Sequence, residues 1–161
     1  MPNPHPFIVH FPIALFFTAV VCELLAYFFR SKPLDTAALV AGIGAAAAAM
    51  GAVVTGLLAE PLVPKVGPAR DVFESHETLG YIVLATTIAF AGLKMVARVQ
   101  KTDKYLMAQI TIGIIGVIIT LMAAHEGGEL VYQHGVGVNK NPPQKIIRVY
   151  PPASDSSRGV K

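Results

Sequence analysis

Apolar positions fall into four long blocks, at roughly residues 8–29, 36–59, 78–97 and 105–125, separated by short polar connections. Each block reaches the roughly 20 residues that a helix needs to cross a hydrocarbon layer of about 30 Å. Lipid offers the backbone no hydrogen-bond partner, so each block must satisfy its own N–H and C=O groups as a helix. No two-residue alternation argues for strands. The pattern therefore predicts an all-α integral membrane protein, with one four-helix domain over residues 1–138 and a polar, extended C-terminal tail over 139–161. Short connections make successive helices antiparallel neighbours, giving an up-down-up-down bundle.

Composition agrees: 53% of residues are apolar and 14% charged, and the mean hydropathy of +0.56 exceeds that of ordinary soluble domains. The placement of charge sets an expected orientation. Arg30 and Lys32 lie between the first two blocks, and Lys94, Arg98, Lys101 and Lys104 surround the connection between the last two. The opposite connection, 60–77, sets Lys65 and Arg70 against four acids. Basic connections stay in the cytoplasm, which predicts a multi-pass protein of the bacterial inner membrane with both termini periplasmic. The tail's five basic residues oppose this, but they sit beyond the last helix end, where the bias weakens. No basic n-region or small-residue cleavage signature flanks the first block, so it reads as a retained span. The net charge of +3 follows from this bias and the tail and does not indicate nucleic acid. Cys22 is the single cysteine, which excludes a disulfide framework and a thiol cluster for zinc or iron–sulfur, and C-x-x-C-H is absent. In the tail, the run Lys145–Tyr150 is suited to pairing as a strand with a partner.

The second block carries unbroken alanine from Ala45 to Ala49, with Gly42, Gly44, Gly51 and Gly56 nearby. Small residues let helices approach closely in lipid, so a packing seam is the ordinary explanation and a surface for a flat cofactor the alternative.

Five histidines arrive on one side of the membrane once the chain is threaded: His5 and His10 at the first block, His76 at the third, and His125 and His134 at and after the end of the fourth. His5 precedes Pro6 and reads as a terminus residue outside the helix. His10, between Val9 and Phe11, reads as enclosed by apolar neighbours and hence as a functional candidate. His76 follows Ser75, a plausible N-cap, and Gly80 leaves a bare patch one turn along the same face. His125 ends the fourth block, where Gly127-Gly128 is expected to break the helix. Each has an ordinary explanation as a cap or dipole partner. Taken together, His10, His76 and His125 fall within about two helical turns of one depth, which capping does not require.

Imidazoles on facing helices hold metals and cofactors, and two of them can take both axial positions of a haem iron. Glu74, Glu77, Glu126 and Glu129 are placed to accept the second ring N–H. The neighbours Phe7, Phe11, Phe73, Tyr81, Leu130 and Val131 suit a large flat ligand better than a hydrated ion. Haem b, another metal or no cofactor at all are the readings the residues leave open.

The string His5-Pro6-Phe7-Ile8-Val9-His10-Phe11-Pro12, the step His76-x-x-x-Gly80-Tyr81, and the stretch from Gly127 to Val138 resemble the bacterial membrane proteins grouped as domain of unknown function 2231, over about residues 5–138. The resemblance implies a four-helix inner-membrane protein whose motif positions include all these histidines, which raises His5 and His134 as ligands and allows one or two haems.

With histidines at one face only, electrons would move laterally. The expected function is thus a b-type haem subunit passing electrons between the quinone pool and a periplasmic redox partner, with no catalytic nucleophile or base. Two other classes stand beside it: a histidine-rich metal-ion binding protein, and a cofactor-free structural subunit of a membrane assembly. Glu23, well inside the first block, is expected to face the bundle interior and bond a hydroxyl such as that of Thr55 or Thr111, a proton-linked role being the alternative.

Overall fold

The computed structural model describes residues 4–138; the tail and its Lys145–Tyr150 run lie outside the described residues. Helix α1 (His5–Ile8) leads into α2 (His10–Phe29), followed by α3 (Lys32–Ala59) with one 3-10 turn over Glu60–Leu62, α4 (Pro68–Gln100) and α5 (Leu106–Tyr132). Four of these segments are long and apolar enough to cross a membrane. Packing runs α2 on α3, α3 on α4, α4 on α5, and α5 back on α2, which closes an antiparallel four-helix ring.

Local chemistry sets the boundaries. Proline stands in the first turn of α1, α3 and α4, where its missing N–H removes nothing the helix would use. At Val9 the chain breaks between α1 and α2, next to Pro12, which cannot donate to the turn before it. Helices α2 and α4 each stop at a residue in the left-handed region, Arg30 (φ 48°) and Lys101 (φ 52°). Their N–H groups return to Ala26 O and Ala97 O respectively.

Two boundaries differ from the hydropathy pattern. The third span starts at Pro68 rather than near 78. Its first turns carry Arg70, Asp71 and Glu74, which water solvates outside the apolar layer, and Arg70 staples them by bridging Glu60 at 2.9 Å and Glu74 at 2.8 Å. The fourth span continues through Gly127-Gly128 to Tyr132. Glycine inside a helix costs about 1 kcal/mol, but Leu130 packs with Val63 and Phe73 and carries the helix onward. It ends where Gly135 (φ 65°) and Gly137 (φ 75°) turn the chain.

The bundle is two copies of one helical hairpin. In α2 the buried residues are Pro12, Phe16, Ala19, Val20 and Glu23. Moving each by 71 positions gives Val83, Thr87, Phe90, Ala91 and Lys94, all buried in α4. Likewise Ala38, Gly42, Ala45 and Ala49 of α3 correspond to the buried Gln109, Gly113, Gly116 and Thr120 of α5. The left-handed caps Arg30 and Lys101 keep the same offset. Equivalent helices run in the same direction, so the hairpins are related by an approximate two-fold axis along the bundle, the arrangement of parallel repeats in a membrane.

On that axis Phe16 and Phe90 meet edge to face, ring centroids 5.7 Å apart, with Ala19, Val20 and Ala45 around them. The rings fit because glycines face them. A Cβ on Gly116 would lie 2.6 Å from Phe16, one on Gly113 2.9 Å from Val20, and one on Gly42 3.1 Å from Phe90. The alanine- and glycine-rich face of α3 is therefore a packing seam. Replacing Gly116 or Gly113 by Ala is expected to lower stability by about 1–3 kcal/mol through overpacking. Gly92→Ala, whose Cβ would meet nothing within 4 Å, should be neutral or stabilising. Thermal unfolding in detergent compares them.

Candidate functional site

Residues separated by 71 positions can touch only near the axis, and at one end His5 and His76 do so. Their ring centroids are 6.1 Å apart with the planes at 85°. His5 Nδ1 lies 2.9 Å from Ala52 O and 3.1 Å from Thr55 Oγ1. His76 Nδ1 lies 2.9 Å from Ala123 O, the equivalent carbonyl. A carbonyl only accepts, so Nδ1 carries the proton in both neutral rings and Nε2 carries the lone pair. One turn past each carbonyl stands a glycine against the imidazole. A Cβ on Gly56 would come 3.2 Å from His5 Cε1, and one on Gly127 3.1 Å from His76 Cε1. Each half thus supplies a half-buried imidazole, a carbonyl that fixes its tautomer, and a glycine that makes room for the ring.

The remaining histidines are elsewhere. His10 is exposed on the outer surface of α2 rather than enclosed, and its equivalent Tyr81 is exposed too. His5, expected outside the helix, instead opens α1 and turns inward: it stands seven positions before Pro12 and eleven before Phe16, on the buried stripe of α2, and Val9 between the two segments keeps right-handed helical dihedrals. His125 is exposed inside α5 and borders an open surface groove of about 370 Å³ with Leu121 and Met122. His134 follows α5, its Nε2 3.8 Å from Glu129. Gly80 lies one turn from His76, and a Cβ there would meet nothing within 4 Å, so the surface beside that imidazole is clear.

The carboxylates do not hold the two rings. Glu126 accepts from Ser75 at 2.8 Å, Glu77 from Tyr81 at 2.9 Å, and Glu74 from Arg70. Ser75 accordingly is not a cap; it sits within α4, whose N-cap is Gly67. Among the described residues Glu126 Oε2 is buried without a hydrogen-bond partner, and no group of three or more His, Cys, Asp or Glu side chains is poised around one point. The His5–His76 pair alone therefore offers two nitrogens. At 6.1 Å with the planes at 85° the two rings make an edge-to-face pair.

At the other end of the axis Lys94 donates to Glu23 and, at 2.6 Å, to Asp35 of α3. Lys94 and Glu23 are each 3% exposed. Arg98 closes the network, 3.9 Å from Asp35 and 3.1 Å from Thr36 Oγ1. Glu23 faces the interior as expected, but its partner is a lysine and not the hydroxyl of Thr55 or Thr111. Lys94 looks like one more basic residue of a connection, yet it belongs to the core. The signal that identifies it is the shared offset: the buried acid and a lysine stand 71 residues apart, like the two histidines. Removing one member of a buried ion pair strands the other charge, at a cost of about 3–5 kcal/mol. Glu23→Leu and Lys94→Leu should each lower the melting temperature, Lys94→Leu more because it strands both Glu23 and Asp35, whereas the exchange Glu23→Lys with Lys94→Glu should recover only part of the loss, since a carboxylate at position 94 would face Asp35. Thermal denaturation of the four proteins reads this out.

A family model described as "Predicted membrane protein (DUF2231)" matches residues 2–140. No curated protein and no solved structure matches the chain.

Proposed function

As a member of the DUF2231 family of predicted membrane proteins, whose description assigns no reaction, the chain takes its function from its axial site, and we propose that it is a b-type haem electron-transfer subunit with His5 and His76 as the axial ligands. The observation that supports this is their meeting: one imidazole from each hairpin, each pinned through Nδ1 to a backbone carbonyl, at a centroid separation of 6.1 Å. Second-position hydrogen bonds of this kind orient metal-bound imidazoles and raise their basicity. The clear surface at Gly80 leaves room beside one ligand. One haem b is the natural complement of one pair. When bound, it supplies single-electron chemistry, and the chain's own groups orient the ligands and set the polarity around them.

The histidine pair sits at one end of the bundle. His76 and Lys94 are 18 positions apart in one continuous helix, about 27 Å at roughly 1.5 Å per residue, and the intervening axis is filled by Phe16, Phe90 and small residues. Electrons would therefore enter and leave on the histidine side. By the distribution of lysine and arginine between the connections that side is periplasmic, in a bacterial inner membrane with both termini outside. The exchange would run between the quinone pool and a periplasmic redox partner.

Absorption spectroscopy of protein purified in detergent tests the assignment. A Soret band that sharpens with dithionite is expected, lost in His5→Ala and in His76→Ala and retained in His10→Ala, His125→Ala and His134→Ala. Gly127→Ala, which presses on His76, should shift the band while the helical circular dichroism stays unchanged. A Soret band surviving the loss of both His5 and His76 overturns the ligand assignment. Colourless protein with stoichiometric metal would make the pair an ion site, and colourless, metal-free protein would leave a structural subunit.

A further inference from the structure

The two hairpins agree at the histidine end of the axis and disagree at the other. His5 matches His76, Ala52 matches Ala123, and Gly56 matches Gly127. Across the opposite end the equivalent positions differ in polarity: Glu23 against Lys94, Ala38 against Gln109, Asp35 against Leu106. All of the polar members of these pairs line one cavity of about 230 Å³ at the ends of α4 and α5, room for about eight waters at roughly 30 Å³ each. Buried polar groups are costly in a membrane, and apolar residues would fill such positions without that cost.

Gln109 adds an independent observation. It is 2% exposed, it lines the cavity, and its amide has no hydrogen-bond partner among the described residues. Such a group presents a donor and an acceptor inward. Arg98 and Lys101 bring positive charge to the wall, and Glu23, Asp35 and Asp103 bring negative charge. A simple anion would meet these three carboxylates, and a simple cation would meet Lys94 between its two acids. An apolar ligand would desolvate both sets. A group carrying both signs fits.

We propose that this cavity binds a phosphoethanolamine group, with the phosphate toward Arg98 and Lys101, the ammonium toward Asp103, away from Lys94, and the Gln109 amide between them. Arginine and lysine are strong phosphate partners, and carboxylates accept from an ammonium. The cavity lies where the basic helix ends meet the membrane surface, at the depth of lipid head groups, so an aminophospholipid is the expected source. This assignment is independent of the histidine end.

The test is reconstitution of the full chain in nanodiscs of phosphatidylcholine alone, of phosphatidylcholine with phosphatidylethanolamine, and of phosphatidylcholine with free phosphoethanolamine added. Melting temperature and lipid retained after detergent extraction are then measured. Phosphatidylethanolamine should raise the melting temperature and be retained at about one molecule per chain, at least tenfold over phosphatidylcholine, whose trimethylated nitrogen has no N–H to donate. Stabilisation by free phosphoethanolamine without lipid retention would identify the same site with a soluble ligand. Gln109→Leu and Lys101→Gln should each lose the selectivity at least tenfold while melting as wild type in pure phosphatidylcholine. Equal retention of both lipids together with no effect of phosphoethanolamine, or unchanged selectivity in both variants, overturns the proposal.

Discussion

How closely α2 seats against α5, and α4 against α3, governs the rest of the molecule. In lipid, burying an apolar side chain gains little, so association depends on dispersion contacts that only close approach provides. The glycines at 42, 113 and 116 supply that approach by receiving Phe16, Phe90 and Val20 into the space their missing side chains leave. Because the helices meet there, residues at equivalent positions come within reach of each other above and below the aromatic pair. The histidine contact and the ion pair both follow from that one packing layer.

A two-fold axis imposes a chemical rule on the residues it carries. Like residues placed on it face each other, which is tolerable for neutral imidazoles. It is intolerable for like charges, which at such short range in a low dielectric repel strongly. The chain keeps identity at the histidine end and adopts complementarity at the other, where Glu23 faces Lys94. Asp35 and Arg98 extend that pair into a four-membered, charge-balanced network linking α2, α3 and α4.

Much of the fold was legible in the order of residues. Four apolar blocks gave four spans, and the small residues of α3 announced a close packing face, because both depend on properties that repeat along one helix. The polar first turns of α4 were not legible, since hydropathy registers what lipid accepts and not what water stabilises beside it. Gly127-Gly128 signalled a helix end that packing of Leu130 overrides. At the candidate site the histidines themselves stood out, but His10 drew attention that belonged to His5. Flanking apolar residues say that a position lies at membrane depth; they do not say which way its side chain faces. The offset of 71 pairs His5 with His76 and Glu23 with Lys94, but it also pairs His10 with Tyr81 and Thr55 with Glu126, and only the packing shows which of these pairs meet on the axis.

The distribution of polar groups along the axis also limits what the bundle can transmit. Between the histidine layer and the ion-pair layer the core is Phe16, Phe90, Ala19, Ala45 and Val20, each 5% exposed or less. Buried hydroxyls are present there, but each is committed to a backbone carbonyl of its own helix, Thr87 to Leu84 at 2.8 Å and Thr120 to Gly116 at 2.7 Å. A hydroxyl turned back onto its helix does not bridge to the next polar group across the core, so the spans contain no continuous chain of donors and acceptors among the described residues. Each end of the axis is therefore chemically its own compartment. The histidine pair and the charged network thus stand at opposite ends of an apolar core, with no polar bridge between them among the described residues.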